Sequence, residues 1–418
     1  MRQSLAVILF FSASLRLCGE LHAADWPQWR GPQRTGHVAE GVPVPTSLPA
    51  EPKVLWHIPI GEGFASPVVA AERVFYLDHQ AGQEVVHAAD AKTGKELWKA
   101  DLDKAAKDNF GIGPRCAPVF DNDLIFAVSL RGELKCLKAA DGSLVWHTNY
   151  VTDFGAQYLG TQTQASAGAS RYGNTASPIV DGENLFAQVG SPKGAGLVCF
   201  KKATGEVVWK SQNDPAGYAC PFIATIAGRK QFLSFTVNGL VSVDTANGNE
   251  LWRVPLRTDF GRHVTTPLVV GDIVFVASNA VGLVATKVTA QGCQPAWTSK
   301  ELKVNYCSPV AVDGFVYSVG MAKNVFCAEA ASGKPAWSKL GLIQTAPDRA
   351  YASFVVMGKN ILMLTDTGQL ILFAADPKEY RELGRAQVCG ATLCNPAYVD
   401  GKLYLRDAKE LICLQLLP

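Results

Sequence analysis

Side chains suited to ligand or protein binding recur just before the short strands that open each repeat of this sequence. They are Phe64, Arg115, Arg171, Tyr172, Tyr218, Arg262, His263, Tyr306, Arg349 and Tyr351. Arginine and tyrosine dominate many binding interfaces because each combines apolar area with hydrogen-bonding groups. We therefore interpret these residues as candidates for binding a protein or a small ligand. A solvated rim, whose rings only cap the packing below, is the alternative interpretation.

Motifs of catalytic or metal-binding chemistry are missing from the sequence. There is no G-x-S-x-G nucleophile elbow, and the histidines and cysteines show no H-x-H, H-x-x-x-H or C-x-x-C spacing. The T-G-K and S-G-K triplets at 93–95 and 332–334 resemble the end of a phosphate loop, but Ala89 and Ala328 replace its upstream glycine. We interpret both as hairpin turns. The sequence thus suggests no catalytic residue and no metal ligand, and it favours a protein that is not an enzyme.

The first 24 residues have the layout of a secretory signal peptide. Arg2 is followed by an apolar run from Leu5 to Phe11 and then by small residues that end at Ala23 and Ala24. This run is too short to span a bilayer, and no later segment reaches 18 uninterrupted apolar residues. We expect a periplasmic or secreted chain with no transmembrane segment after cleavage. A formal net charge of +2 gives no global attraction to nucleic acid.

A repeat positions the candidate binding residues. A turn glycine precedes a tryptophan by four residues in Gly94/Trp98, Gly142/Trp146, Gly205/Trp209, Gly248/Trp252 and Gly333/Trp337, and by five in Gly292/Trp297. Each unit opens with a short strand, such as Ser66-Pro67-Val68-Val69, that precedes a second apolar strand, and there are eight such copies. The pattern predicts an all-β fold, an eight-bladed β-propeller of four-stranded antiparallel blades. In this fold the segments before the first strands meet at the mouth of the central channel.

The two ends of the repeat region predict how the ring closes. The last unit stops without a tryptophan strand, whereas residues 54–58 form a tryptophan strand without a preceding hairpin. We expect this N-terminal strand to complete the eighth blade, because closure removes two free sheet edges. The chain then divides into a signal peptide at 1–24, an N-terminal extended segment at 25–53 and the propeller at 54–418.

Two further features concern the mouth and the cysteines. The third repeat is longer than its neighbours, and its excess, residues 158–174, is either a lid or partner loop over the mouth or a tolerated insertion. Most cysteines alternate with Ala, Ser and Thr at two small positions of the repeat, which is typical of compact apolar filler. Cys389 with Cys394 is the one pair that we would test for a disulfide.

The segments DAKTGKELW at 90–98 and KATGEVVW at 202–209 resemble the pyrroloquinoline-quinone-like repeat family. That family includes quinoprotein alcohol dehydrogenases and the non-catalytic outer-membrane assembly factor BamB. The resemblance covers residues 54–418, and the opening DWPQWRGP at 25–32 looks like the start of exported planctomycete-type propellers. A quinoprotein dehydrogenase would imply bound pyrroloquinoline quinone (PQQ), a vicinal disulfide over it, a calcium site and a general-base aspartate. No Cys-Cys dipeptide occurs here, so we expect no cofactor.

These features favour one function and leave two alternatives. The first is a non-catalytic secreted or periplasmic propeller that binds an unknown protein or small ligand through its channel-mouth loops. The second is a PQQ-dependent oxidoreductase. The third is an interaction platform like the outer-membrane protein assembly factors. Since one fold serves many functions, the repeat itself does not choose among them.

Overall fold

A computed structural model describes residues 25–158, 169–345 and 350–417. These residues form eight four-stranded antiparallel sheets and one two-stranded sheet. The predicted all-β, eight-bladed propeller is confirmed. The expected signal peptide lies outside the described residues. Among the residues described, no helix is long and apolar enough to cross a membrane.

The elements of the first four blades follow in chain order. They are β1 (Lys53–Pro59), β2 (Val68–Ala70), β3 (Arg73–Gln80), β4 (Gln83–Asp90), β5 (Glu96–Lys104), β6 (Lys107–Asp108), β7 (Gly111–Ile112), β8 (Val119–Asp121), β9 (Leu124–Val128), β10 (Glu133–Lys138), β11 (Leu144–Asn149), α1 (Tyr150–Phe154), α2 (Ala169–Tyr172), β12 (Ile179–Asp181), β13 (Asn184–Ser191), β14 (Ala195–Lys201), β15 (Val207–Ser211), β16 (Phe222–Ile226), β17 (Arg229–Thr236), β18 (Gly239–Asp244) and β19 (Glu250–Pro255).

A short 3₁₀ helix, Asp259–Gly261, leads into the second half of the ring. Its strands are β20 (Leu268–Val270), β21 (Ile273–Ser278), β22 (Gly282–Thr289), β23 (Gly292–Ser299), β24 (Val310–Val312), β25 (Phe315–Val319), β26 (Val325–Glu329), β27 (Pro335–Lys339), β28 (Ala352–Met357), β29 (Asn360–Thr365), β30 (Gln369–Ala374), β31 (Glu382–Gln387), β32 (Ala397–Val399), β33 (Lys402–Arg406) and β34 (Glu410–Gln415).

Each blade uses four strands that are consecutive in the chain, except the last. Blades 1 to 7 are β2–β5, β8–β11, β12–β15, β16–β19, β20–β23, β24–β27 and β28–β31, and blade 8 joins β32–β34 to β1. The first strand of each blade is innermost, because the first strands of neighbouring blades contact one another, as β2 does with β8 and β32. The hairpin β6–β7 lies outside the blades, between blades 1 and 2.

The N-terminal strand closes the ring as expected. Strand β1 pairs with β34 antiparallel, from Lys53 opposite Gln415 to Pro59 opposite Glu410. The fully buried Arg406 also joins blade 8 to the start of the ring, since its guanidinium donates to the Leu77 carbonyl at 2.6 Å. The ring of blades is therefore closed where the N-terminal and C-terminal strands pair.

Most of the repeated glycines form a tight turn in their own blade and also contact the tryptophan of the blade before it. Gly205 has φ of +75°, which glycine adopts without strain. The indole of Trp146, from the preceding blade, lies against it and donates to the Lys202 carbonyl at 2.8 Å. A Cβ on Gly205 would lie only 2.6 Å from this ring. The same contact joins Trp56 to Gly94, Trp98 to Gly142, Trp209 to Gly248 and Trp297 to Gly333.

The irregular repeat departs from this contact. Gly292 precedes its tryptophan by five residues, and no atom lies within 4 Å of where its Cβ would be. Trp252, in the blade before, donates instead to Gln231 Oε1 of its own blade at 2.7 Å. The extra residue in the sequence therefore marks a blade junction at which this glycine contact is absent.

We predict that Gly205→Ala destabilises the protein more than Gly194→Ala in the same blade. Both glycines have positive φ, +75° and +80°, but only Gly205 is covered by an indole. The backbone strain is therefore matched, and the difference measures the clash, which we expect to cost about 1–3 kcal/mol. Urea unfolding of both variants gives this difference. Equal unfolding free energies would contradict the packing role of the glycine.

Residues 26–38 form a loop inside the ring, which we call the channel loop. It hydrogen-bonds to seven blades, in or just before the first strand. The partners are Val69, Phe120, Ser177, Pro178, Pro221, Thr266, Pro309, Ala311 and Val356. The eighth blade is reached just after the loop, where Tyr398 donates through Oη to the Pro43 carbonyl at 2.6 Å. The N-terminal segment is thus an internal part of the propeller.

The levels at which the channel loop bonds show its direction. Its two ends pair with Val69 and Val356. Each of these valines follows by two residues the position that the strand proline, such as Pro67, occupies in the repeat. Its middle, residues 29–34, bonds at or next to the proline level, as Arg30 does to the Pro309 carbonyl at 2.6 Å. The first strands start at the mouth where the candidate binding residues lie. The channel loop therefore enters from the opposite end and points its tip toward the mouth.

Two guanidinium groups of the channel loop are buried without a carboxylate. Arg34 is fully buried and donates to the carbonyls of Ser177, Pro178 and Pro221, from blades 3 and 4. Within the described parts of the chain, neither Arg30 nor Arg34 forms an ion pair. Burial lowers the pKa of each to about 10, so both stay charged at neutral pH. Backbone carbonyl dipoles solvate these charges, together with the side-chain oxygen Gln28 Oε1, which accepts from Arg34 Nε at 3.0 Å.

Candidate functional site

A cavity of about 200 Å³ opens at the channel mouth above the tip of the channel loop. Every blade contributes to its wall, because the segments before the eight first strands converge there. The described wall residues include Phe64, Arg115, Tyr172, Tyr218, Arg262, Tyr306, Tyr351 and Leu393, one from each blade in order. Trp29 of the channel loop also lines the cavity and donates through Nε1 to Thr266 Oγ1 at 3.2 Å. We call this space the arginine cavity.

The structure brings together seven of the ten residues that the sequence suggested. The seven that line the arginine cavity are Phe64, Arg115, Tyr172, Tyr218, Arg262, Tyr306 and Tyr351. Arg171, on α2, lies beside the wall, with its guanidinium carbon 5.2 Å from the ring centre of Tyr172. Arg349 lies outside the described residues.

His263 lies beneath the wall. It is fully buried and donates through Nδ1 to the Thr236 carbonyl at 2.5 Å. Its ring is stacked on that of Phe235, with centroids 4.1 Å apart. Burial lowers the pKa of His263, which keeps the ring neutral. The contacts of this histidine are those of a packed interior residue.

Several wall residues were missed by the sequence reasoning. Small hydroxyl residues just before the strand proline also line the arginine cavity, namely Ser177, Thr266 and Ser308. Their signal was in the repeat, where Ser or Thr precedes proline in several copies. Trp29 has no counterpart in any other repeat, so the alignment of repeats could not place it.

The hairpin β6–β7 carries Phe110 across the mouth. The Phe110 ring lies 5.5 Å from that of Tyr172 in blade 3 and 6.5 Å from that of Tyr306 in blade 6. Arg115 anchors the hairpin, because its Nη2 pairs with Asp108 Oδ1 at 2.6 Å. The Arg115 guanidinium also lies over the ring of Phe64, 5.0 Å from its centre. Part of the recognition chemistry expected of Arg115 is therefore used to hold the hairpin.

A second cavity, of about 410 Å³, adjoins the first. The two share the wall residues Phe64, Phe110, Tyr306 and Leu393. Its charged residues among those described are all acidic, namely Glu62, Asp366 and Asp407. We call this space the acidic cavity. The mouth as a whole thus has one side lined by arginine and another lined by carboxylates.

Hydrogen bonds from backbone N–H and hydroxyl groups fix the position of two of these carboxylates. Asp366 is 3% exposed and accepts hydrogen bonds from the backbone N–H and Oγ1 of Thr345 through Oδ2. Its buried Oδ1 has no hydrogen-bond partner among the described residues. Burial opposes ionisation of Asp407, but the backbone N–H groups of Lys409 and Gly390 outweigh it and lower the pKa.

The cysteines do not form a reactive centre in the part of the chain that is described. All ten cysteines there are free, including Cys389 and Cys394. Cys220 lines the arginine cavity, and burial raises the pKa of its thiol. The described residues contain no group of three or more His, Cys, Asp or Glu that could hold a metal ion.

The residues at the mouth do not match the quinone site that the resemblance implies. That site needs two adjacent cysteines, and the sequence has no Cys-Cys dipeptide. The only thiol among the described wall residues of the arginine cavity is that of Cys220. Below this cavity the channel is occupied by the channel loop rather than by open space. We therefore derive no redox step at the mouth.

Comparison with known proteins agrees with this architecture. BamB of Shewanella oneidensis is 23% identical over 391 residues, which is 88% of this chain and 89% of that protein. The crystal structure of BamB from Moraxella catarrhalis superposes with a TM-score of 0.57 at 15% identity and covers 88% of this chain and 98% of its own. Quinohemoprotein alcohol dehydrogenase from Comamonas testosteroni gives 0.52 at 13% identity over 94% of this chain and 80% of its own. The structural matches show a shared fold.

A family model described as outer membrane protein assembly factor BamB matches residues 81–339, more than half of the chain. The resemblance to pyrroloquinoline-quinone-like repeats is confirmed by this match. The chain belongs to the family that bears this description, outer membrane protein assembly factor BamB.

Proposed function

We propose that this chain is an exported, non-catalytic binding protein that takes its ligand at the channel mouth. The observation that carries the proposal is the arginine cavity, to which all eight blades contribute and which the channel loop closes from below. A ligand therefore enters and leaves from one face. Loops that converge on a rigid ring are a common place for binding sites, because the ring fixes their geometry.

Filling the mouth tests the proposal. Leu393 borders both cavities and is 40% exposed, so Leu393→Trp adds bulk there without disturbing the core. Leu340, 64% exposed and outside both walls, supplies the matched control Leu340→Trp. The probe is 8-anilinonaphthalene-1-sulfonate, an anionic fluorophore with an apolar body. We expect one saturable site in the wild type and in Leu340→Trp, and binding at least tenfold weaker in Leu393→Trp. Equal titration curves for all three proteins would refute a binding site at the mouth.

An interaction platform is the second candidate, and the family match favours it. Blades 1 to 3 also expose apolar side chains on their outermost strands, namely Leu97, Leu144 and Val207 at 47%, 53% and 40%. Apolar side chains exposed on three successive blades are candidate contacts for another protein. Crosslinking in cell envelopes, with the wild type against Leu144→Lys/Val207→Lys, tests this role. A crosslinked partner that the double variant loses would support it, and an identical pattern would count against it.

The quinone alternative has its own test. Purified protein is mixed with pyrroloquinoline quinone and calcium, and absorbance and dye reduction are followed. The proposed binding function predicts an unchanged quinone spectrum and no dye reduction. Turnover of an alcohol under these conditions would replace the proposal with an oxidoreductase.

A further inference from the structure

We propose that the mouth binds a short peptide with free ends, its carboxylate in the arginine cavity and its ammonium group in the acidic cavity. The proposal rests on the proposed function, because it assigns a ligand class to the same site. It is carried by the charge asymmetry of the two cavities and by buried polar atoms that have no partner in the part of the chain that the structure describes.

The arginine cavity has an excess of positive charge. Arg115 and Arg262 line it, and none of its described wall residues is acidic. Asp108, behind the wall, pairs with Arg115. The buried Arg30 and Arg34 lie directly below, since Arg34 donates to the carbonyl of the wall residue Ser177. Charges removed from water interact strongly, so the guanidinium groups in and below this wall stabilise an anion in the arginine cavity.

A hydroxyl group in the same cavity is ready to bind the anion. Tyr218 lines the wall, and its buried Oη has no hydrogen-bond partner among the described residues. Buried hydroxyl groups in folded proteins nearly always have a partner, so this one indicates a polar group that the ligand supplies. A carboxylate suits it, because the phenol O–H donates and the carboxylate only accepts.

The acidic cavity has the opposite character. None of its described wall residues is Lys, Arg or His. Asp366 Oδ1 is a buried acceptor without a donor among the described residues, and Asp407 is held in its ionised form. Arg406 offsets part of this charge from below, where its Nε donates to the Asp407 backbone carbonyl at 3.1 Å. An ammonium group, with three donors and one charge, satisfies the remaining carboxylate oxygens.

The shared walls fix the middle of the ligand. Phe64, Phe110, Tyr306 and Leu393 lie between the charged sides and are apolar or aromatic. The volumes of about 200 and 410 Å³ together fall within the range of roughly 300–1,000 Å³ typical of ligand pockets. A chain with an apolar side chain between two charged ends therefore matches the mouth from one side to the other.

Calorimetry with four forms of the tripeptide Ala-Phe-Ala tests the inference on the full-length protein. The forms have both ends free, the amino end acetylated, the carboxyl end amidated, or both ends blocked. We expect each single block to weaken binding about tenfold or more, because a charge-assisted hydrogen bond is lost. Acetylation should matter less in Asp366→Asn, and amidation should matter less in Arg262→Gln. Glu51→Gln, an exposed carboxylate outside both cavities, serves as the control.

Each outcome decides a different point. Equal affinity for the free and blocked peptides overturns the charge assignment and leaves the proposed function standing. No binding of any form, in a protein that still binds the fluorescent probe, overturns the peptide class. If Asp366→Asn unfolds, Glu62→Gln replaces it, since Glu62 lines the same cavity and is exposed. A smaller effect of acetylation on affinity in either variant than in the wild type supports the proposal, and an unchanged effect in both contradicts it.

Discussion

Replacing Arg34 with methionine is expected to lower the free energy of unfolding by about 2–5 kcal/mol, since each buried carbonyl left without a donor costs roughly 1–3 kcal/mol. The guanidinium donates to three carbonyls that belong to two blades. Methionine keeps most of the volume and removes the cost of burying a charge, which is why the loss is not larger. Urea unfolding followed by tryptophan fluorescence measures it.

Arg381→Met is the control for Arg34→Met, because the side chain of Arg381 is exposed. We expect it to change the unfolding free energy by less than about 0.5 kcal/mol, as is usual for surface positions. Arg34→Lys should fall between the two, since an ammonium group keeps the charge but not the planar fork that reaches several carbonyls. If Arg34→Met and Arg381→Met unfold at the same urea concentration, the channel loop does not hold the blades together.

The second large effect concerns pH. Glu84 on β4 is fully buried, and its carboxylate accepts hydrogen bonds from the backbone N–H of Leu130 in blade 2 at 3.1 and 3.3 Å. Burial raises the pKa of Glu84 to about 8, from 4.5 for the ordinary group. At a pH between these two pKa values, Glu84 keeps its proton in the folded protein, whereas in the unfolded chain it has released the proton. Stability therefore falls as the pH rises through this window, by up to about 1.4 kcal/mol per unit.

Glu84→Gln isolates this contribution, because glutamine keeps the acceptor for Leu130 and does not ionise. We expect the unfolding free energy of the wild type to decrease relative to that of Glu84→Gln between pH 5 and 8. The buried His263, whose pKa is lowered, acts in the opposite direction, but it is present in both proteins and cancels in the difference. Glu40→Gln, at an exposed position, should follow the wild type. A constant difference across the range would show that Glu84 is ionised in the fold.

The ring of eight blades could be predicted from the sequence because each repeat contains the residues that determine its turn and its packing. The glycine and tryptophan of each unit specify a turn and a packing contact, and the tryptophan strand at 54–58 predicted the closure with β34. The channel loop could not be predicted in this way. Its arginines bond to backbone carbonyls, which every residue has, so no side-chain pattern in the sequence identifies the partners of Arg30 or Arg34.

The same reasoning explains which parts of the mouth were found. Equivalent positions before the first strands converge in any ring, so residues such as Tyr218 and Tyr306 could be grouped without coordinates. His263 directly follows Arg262, but it turns inward, which a list of positions does not show. Asp366 and Asp407 were missed because they lie in the turns between second and third strands. Those turns also reach the mouth.

The channel loop also constrains how the molecule folds. It lies near the start of the chain, yet Arg30 bonds to Pro309, 279 residues away, and Arg34 to Pro221, 187 residues away. Such a high contact order delays the final step, because the later blades have to form before the loop gains its partners. A nascent chain that has only blades 1 to 4 therefore contains the acceptors of Arg34 but leaves Arg30 without the Pro309 carbonyl of blade 6. We expect late docking of this loop to be the slowest phase of refolding.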